Sequence, residues 1–132
     1  MNKEFISYEQ ALALKELGFD EECLGWYPNN AAALSLDGVY IGKPSIGSYK
    51  LLAYAPLKQQ VFRWFRDEHD LFGNIDLHVS TPVHWYVRID NMTDNDYLYH
   101  SEDEDLKWFT YEEAESAAID KLIEIIKHEQ KM

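Results

Sequence analysis

Twenty-four acidic and 12 basic residues in a chain of 132 give a net charge of -12, which argues against a nucleic-acid or anionic-membrane surface and leaves three roles for the acidic residues: a basic partner, cations or plain solvation. The length suits a single domain, and the one cysteine, Cys23, excludes an intramolecular disulfide. No secretory signal follows Met1 and no apolar run is long enough to span a membrane, so a cytoplasmic protein is expected.

The first predicted element is a helix over about residues 8 to 17. Ser7 and Gln10 form the S-x-x-Q pattern of a capping box, and apolar residues follow at helical spacing. Gly18 stands where a left-handed residue ends a helix, and Phe19 can then fold back onto Leu14, as in the Schellman motif. From Glu22 to Tyr54 short apolar pieces alternate with turn residues, which predicts two to four short strands.

Pro56 begins a second predicted helix, because its missing amide is harmless in the first turn. The apolar face of this helix is formed by Leu57, Val61, Trp64 and Phe65. The other side carries Gln59, Arg63 and Arg66, and with Lys58 flanking it this helix holds the one concentrated group of positive charge in the sequence. Phe62 lies off the apolar face and is expected either to be exposed or to meet the N-terminal strands. We expect Gly73 and Asn74 to end the segment.

Residues 75 to 90 give the clearest β signal, because apolar and polar residues alternate in two runs. The alternation predicts a hairpin with one buried face, formed by Ile75, Leu77, Val79, Val83, Trp85, Val87 and Ile89. Placing Val79 opposite Val83 makes Ser80-Thr81-Pro82 the loop and fixes the register of the two strands.

The same register places His78 opposite His84 on the outer face of the hairpin, with Asp76 and Tyr86 as the neighbouring pair. Two imidazoles and a carboxylate can hold zinc, so His78, His84 and Asp76 are the candidate metal ligands. The alternative is a polar outer face without metal, because such a site needs a third ligand on a rigid element and an outer shell of hydrogen bonds.

Ten carboxylates and a single lysine, Lys107, lie between Asp90 and Glu115. Tyr97 to His100 and Lys107 to Phe109 are the two candidates for a third strand in this stretch. Carboxylates would steer a basic partner and aromatic residues would anchor it. The candidate partner-binding residues are Asp96, Tyr97, Tyr99, Glu102, Asp103, Glu104, Asp105 and Trp108.

Thr110 and Glu113 form a T-x-x-E capping box before the last predicted helix, about residues 111 to 128. Acidic residues at its start and basic residues at its end complement the helix dipole. The whole pattern predicts a single α+β domain over residues 1 to 132, with helices packed on an antiparallel sheet in the order α-β(2–4)-α-β-β-(β)-α. Residues 56 to 132 would form an αβββα unit within it.

This αβββα order resembles that of double-stranded-RNA-binding domains, and the segment Tyr111-Glu112-Glu113-Ala114-Glu115-Ser116-Ala117-Ala118 is similar to the alanine-rich opening of that family's last helix. That family holds RNA phosphates with lysines at this helix start, where this chain has Glu112, Glu113 and Glu115. The resemblance therefore implies an order of elements and no nucleic-acid binding.

Three separated blocks resemble a small family of uncharacterised proteins from phages and prophages of gut Bacteroidales bacteria. The blocks are Phe5-Ile6-Ser7-Tyr8-Glu9-Gln10-Ala11-Leu12 with Leu17-Gly18-Phe19-Asp20, Ala55-Pro56-Leu57 with Gln60-Val61-Phe62-Arg63-Trp64-Phe65-Arg66, and Tyr111-Glu112-Glu113-Ala114-Glu115 with Lys121-Leu122-Ile123-Glu124-Ile125-Ile126. The resemblance implies a mobile-element origin and the cytoplasm of a bacterial host. It carries over no activity and no functional residue.

No catalytic or cofactor signature is present: Cys23 lies in an apolar setting, and Gly42-Lys43-Pro44-Ser45 lacks the upstream glycine of a phosphate loop. We therefore expect a non-enzymatic phage or prophage accessory protein without a cofactor. It would bind a basic protein partner through the acidic, aromatic-bearing surface, with mimicry of nucleic acid as a special case. The alternatives are a homodimeric interaction module, formed through sheet edges or the Phe62 side, and a small metal-dependent enzyme at His78 and His84.

Overall fold

The structure is a computed structural model, and it describes residues 4–28, 40–41, 51–94 and 97–131. The helices and strands are α1 (Tyr8–Glu16), β1 (Gly25–Pro28), β2 (Tyr40–Ile41), β3 (Leu51–Ala55), α2 (Lys58–His69), β4 (Leu71–His78), β5 (His84–Asn91), β6 (Tyr97–His100) and α3 (Tyr111–Gln130). The α+β class and the order of elements are confirmed, with helices on antiparallel sheets. By internal contacts the chain divides into two compact units, Met1–Lys58 and Gln59–Met132.

In the first unit, both ends of α1 have the caps that the sequence predicts. The Ser7 hydroxyl accepts a hydrogen bond from the Gln10 amide, and the Gln10 side chain accepts one from the Ser7 amide, both at 3.1 Å. At the other end Gly18 has φ 99°, and the Phe19 amide donates to the Leu14 carbonyl, which completes the Schellman motif. Local hydrogen bonds therefore determine where α1 starts and stops.

The sheet of the first unit has the order β2-β1-β3, with both pairs antiparallel. Its core contains Ile6, Leu14, Trp26 and Tyr27, and the Tyr27 hydroxyl donates to the Ile6 carbonyl at 2.7 Å. Some of the predicted strand and turn positions between Glu22 and Tyr54 lie outside the described residues, at 29–39 and 42–50.

The second unit departs from the sequence prediction where α2 ends. The helix stops at His69, Asp70 takes a left-handed conformation with φ 55°, and β4 begins at Leu71. Gly73 and Asn74 therefore lie inside a strand, and the prediction that they end the segment is wrong. Asp70, and not Gly73, forms the turn between α2 and β4. Aspartate can do so because it tolerates the left-handed region better than most residues do.

Gly73 has a packing reason to be a glycine. A Cβ atom at this position would lie 2.8 Å from Cε1 of Phe62 and 3.3 Å from Cδ1 of Leu122. The Phe62 ring thus lies over the backbone of β4, beside α3. Phe62 is half-buried, so the expectation that it is exposed is wrong; Gly73 leaves room for the ring on the sheet of its own unit.

The hairpin has the predicted register but not the predicted burial. Leu77 pairs with Trp85, and His78 pairs with His84. The strands end one residue earlier than expected, so Val79 and Val83 belong to the loop and are exposed. Deeper along the strands, the same face carries Val87 and Ile89, which have no exposed surface.

Burial is also reversed on the other face of the hairpin. His84 and Tyr86 were expected outside, yet they are only 7% and 9% exposed. Strand alternation tells which side chains share a face, but cover by other elements decides which face is buried.

Both candidates for a third strand pair with the same edge of β5. β6 pairs with residues 88 to 90, and Trp108 exchanges two backbone hydrogen bonds with Trp85, at 2.8 and 3.0 Å. Between these points the Ser101 hydroxyl accepts a hydrogen bond from the Val87 amide at 2.9 Å. The edge is therefore continuous, and residues 102 to 107 loop out of it.

The last helix, α3, packs on β4 and β5. The Thr110 hydroxyl accepts from the Glu113 amide at 3.2 Å, as the capping pattern predicts, and it donates to the Glu113 carboxylate at 2.8 Å. The buried face of α3 is formed by Ala114, Ala118, Ile119, Leu122, Ile123 and Ile126, together with Glu115. In the part of the chain that the structure describes, no helix is long and apolar enough to cross a membrane.

Candidate functional site

An apolar patch is exposed at the loop end of the β4–β5 hairpin. It consists of the exposed residues Leu77, Val79, Val83 and Tyr111 and the half-buried Trp85 and Trp108, and we call it the tip patch. Leu77, Trp85 and Trp108 form a row across three backbone segments, because directly paired residues of antiparallel strands point to the same side. The Tyr111 ring packs edge-to-face on Trp85, with centroids 5.1 Å apart. These four residues are therefore contiguous, and Val79 and Val83 continue the patch into the loop, each two residues along the chain from a member of the Leu77–Trp85 pair.

The tip patch exists because the hairpin extends beyond the helix that covers it. α3 begins at Tyr111, next to Trp85, and runs over the deeper residues Val87 and Ile89. Val79 is 76% exposed, and Leu77 and Val83 are each 50% exposed. Sequence alternation identified these residues as apolar and as sharing a face, but it assigned them to the core.

The four consecutive carboxylates of the acidic stretch lie on the loop that leaves the edge of β5. Residues Ser101–Glu104 form a single 3-10 turn, and Asp105 follows with φ 58°. We call Glu102–Asp105 the acidic turn, and all four side chains are exposed. The chain runs from this turn through Leu106 and Lys107 into Trp108 of the tip patch, so the two features adjoin.

The predicted partner-binding residues do not form one surface. Tyr99 pairs with Ile89 and Trp108 pairs with Trp85, so both lie on the side of the sheet that α3 covers. Tyr97 pairs with Asp90 and lies on the opposite side. Asp96, the remaining member of the predicted set outside the acidic turn, lies outside the described residues.

Tyr97 and Tyr99 are each held by charged neighbours. The Tyr97 hydroxyl donates to the Asp103 carboxylate at 2.8 Å, and the Arg88 guanidinium lies 5.4 Å from the Tyr97 ring centroid. The Tyr99 hydroxyl donates to Glu104 at 3.4 Å. Burial and the nearby charge of Glu104 raise the pKa of Tyr99. These tyrosines tie β6 to the acidic turn.

A groove of about 600 Å³ runs between β6 and α3. It is lined by Leu98, Tyr99, Glu104, Lys121, Glu124, Ile125, His128 and Glu129. The Lys121 ammonium lies 4.4 Å from the Tyr99 ring centroid and 3.4 Å from Glu124. The groove thus already contains a cation of its own chain at its aromatic wall.

The opposite side of the sheet carries a cluster of imidazoles around Tyr86. The rings of His78 and His84 are stacked with centroids 5.4 Å apart, and both contact Tyr86 edge-on. His100 lies 6.0 Å from Tyr86. The His100 Nε2 atom is 3.5 Å from the Asp76 carboxylate, so Asp76 interacts with His100.

Of the predicted metal ligands, the structure brings His78 and His84 together. Asp76 is engaged by His100, a residue that the sequence reasoning did not include. Across residues 4–28, 40–41, 51–94 and 97–131, no group of three or more His, Cys, Asp or Glu side chains is placed to hold a metal ion. Pairing of β6 with β5 brought His100 to this face, and that register could not be read from the sequence.

Comparisons with protein-family models, with curated proteins and with solved structures found no match for this chain. The resemblance to phage and prophage proteins therefore stays a prediction.

Proposed function

We propose that this chain is a non-enzymatic phage or prophage accessory protein that binds a basic protein partner on the tip patch and the acidic turn. The tip patch carries the proposal. Its members are apolar or aromatic, four of them adjoin one another through strand pairing and a ring contact, and three of them are at least half exposed. Contiguous exposed apolar surface on a folded chain is typical of an interaction site.

The composition of the tip patch suits a protein partner. Trp85, Trp108 and Tyr111 are of the residue types that dominate interface energetics, because they bury much area with few rotatable bonds. Leu77 and Val79 supply an aliphatic surface beside them. An apolar side chain of a partner would find both kinds of contact within the patch.

The acidic turn favours a positively charged partner. Four exposed carboxylates adjoin the patch, on a chain whose net charge is -12. A segment with an apolar anchor and flanking lysines or arginines would be attracted by this field and would find complementary charges at the edge of the patch. If the partner's basic surface were its DNA-binding surface, the result would be mimicry of nucleic acid.

Selection from a displayed library of random short peptides tests the proposal without knowledge of the natural partner. We expect the selected peptides to combine apolar or aromatic residues with lysine or arginine. The doubly substituted Leu77→Ser, Val79→Ser chain should lose these peptides, and Leu24→Ser, a change at another exposed leucine, should keep them. Peptides without basic residues, or equal binding by the two variants, would contradict the proposal.

Charge and apolar contact can be separated by kinetics. Neutralising the acidic turn with Glu102→Gln and Asp103→Asn should slow association and flatten its salt dependence, because exposed charges act mainly through steering. The substitutions at Leu77 and Val79 should instead speed dissociation.

Self-association through the same patch is the competing function. Two copies with a charge of -12 each repel one another, which disfavours a homodimer. Light scattering at micromolar concentration should show a monomer. A dimer that Val79→Ser dissociates would replace the proposed partner with a second copy of the chain.

A further inference from the structure

We propose that His78 and His84 form a binding site for a divalent late transition metal ion such as Cu²⁺, Ni²⁺ or Zn²⁺. The two residues face each other across the last pair of the hairpin, and their rings are nearly parallel, with an interplanar angle of 19°. They lie on the opposite side of the sheet from Leu77 and Trp85, so the site is independent of the tip patch.

The hydrogen bond of His84 leaves the correct nitrogen free for a metal. The His84 Nδ1 atom lies 2.9 Å from the Pro82 carbonyl oxygen. A carbonyl only accepts, so Nδ1 carries the proton and the lone pair is on Nε2. Histidines that bind metals commonly donate their other ring N–H to a carbonyl or carboxylate, which fixes the tautomer and the orientation of the ring.

Packing against Tyr86 restricts the positions of the two histidine rings. His84 is buried, and the Tyr86 ring contacts His84 and His78 edge-on, with centroids 5.2 and 4.5 Å away. His78 is half-buried at the last residue of β4, next to the loop. The less constrained ring is therefore the one that can turn toward a shared ion.

The separation of the two rings suits a shared ion. Zinc–nitrogen bonds are about 2.0–2.1 Å long and the centre of an imidazole lies about 1.2 Å beyond the nitrogen, so two ring centroids on one tetrahedral ion lie about 5.2 Å apart. The ring centroids of His78 and His84 are 5.4 Å apart in this structure. Rotation of the His78 ring, so that its free nitrogen and Nε2 of His84 point at one place, would complete the pair of ligands.

His100, the third imidazole of the cluster, is not a metal ligand, because both of its ring nitrogens already have hydrogen-bond partners. The His100 Nδ1 atom accepts from the Glu102 amide at 3.2 Å, and its Nε2 atom faces the Asp76 carboxylate. Both His100 nitrogens and the carboxylate of Asp76 are thus engaged. Two imidazoles therefore bind the ion without the third protein ligand that a structural or catalytic zinc site needs, and water takes the remaining coordination positions.

Calorimetric titration of the whole chain with each metal ion alone tests the site. We expect one ion per chain, bound most tightly for Cu²⁺ because affinity for a nitrogen site peaks at copper in the divalent series. His78→Ala and His84→Ala should each weaken binding at least tenfold. Because His84 is buried, circular dichroism must show that its variant is folded; the half-buried His78 supplies the second variant.

Two control variants make the result specific. His128→Ala removes an exposed histidine of α3 and should leave binding unchanged, and so should His100→Gln. Absence of binding by the unsubstituted chain overturns the proposal. So does binding that His128→Ala or His100→Gln weakens as much as His78→Ala does, because the ion would then be held by other histidines.

Discussion

Replacement of Ser101 by alanine should measure how much one side-chain hydroxyl contributes to the edge of β5. Ser101 is fully buried, and its hydroxyl accepts from the amide of Val87, which is also fully buried. Ser101→Ala leaves this donor without its acceptor, and an unsatisfied buried donor costs about 1–3 kcal/mol. At about 2.1 cal/mol/K of unfolding entropy per residue, Tm of a 132-residue chain should fall by about 4–11 °C.

The assay is thermal unfolding followed by circular dichroism, with amide hydrogen exchange at Val87 as a local readout. Ser80→Ala, a change at an exposed serine of the hairpin loop, is the matched control and should leave Tm unchanged. The Val87 amide should exchange faster in Ser101→Ala. A Tm within about 1 °C of the unsubstituted chain, with unchanged exchange at Val87, would refute the role given to the hydroxyl.

Three further perturbations test other contacts. Gly73→Ala should destabilise the chain by about 1–3 kcal/mol, because the new methyl group meets the Phe62 ring at 2.8 Å; in denaturant unfolding the cost should shrink when Phe62→Ala is also present. Thr110→Ala should cost about 1 kcal/mol through loss of the bond to the Glu113 amide, and Thr110→Ser should restore most of it. Burial, and then the charge of Glu9, raise the pKa of Tyr27 to about 12. The unfolded chain loses this proton near pH 10, so stability should fall as pH rises from about 10 to 12, and Tyr27→Phe should flatten that fall in denaturant midpoints.

Features that depend on local chemistry were predicted correctly from the sequence. The caps of α1 at Ser7 and Gly18 and the start of α3 at Thr110 involve residues within five positions of each other. The pairing of His78 with His84 also followed, because the turn and the period of two leave few registers for a short hairpin.

Features that depend on distant segments were not predicted. The sequence offered Tyr97 to His100 and Lys107 to Phe109 as alternatives for a third strand, whereas β6 and Trp108 both pair with β5. Both can pair because the residues between them loop out and Ser101 bonds to β5 in the gap. The role of Gly73 was missed because the Phe62 ring comes from another element. His100 reached the imidazole cluster only through the pairing of β6.

The candidate sites show the same division. The sequence by itself determined that Leu77, Val79, Val83 and Trp85 share one face of a hairpin, that His78 meets His84 and that the following stretch is acidic. Only the tertiary structure decided that α3 starts too late to cover these four hairpin residues, and that Asp76 interacts with His100. Side-chain period is a property of the local backbone, whereas burial depends on which other elements reach that backbone.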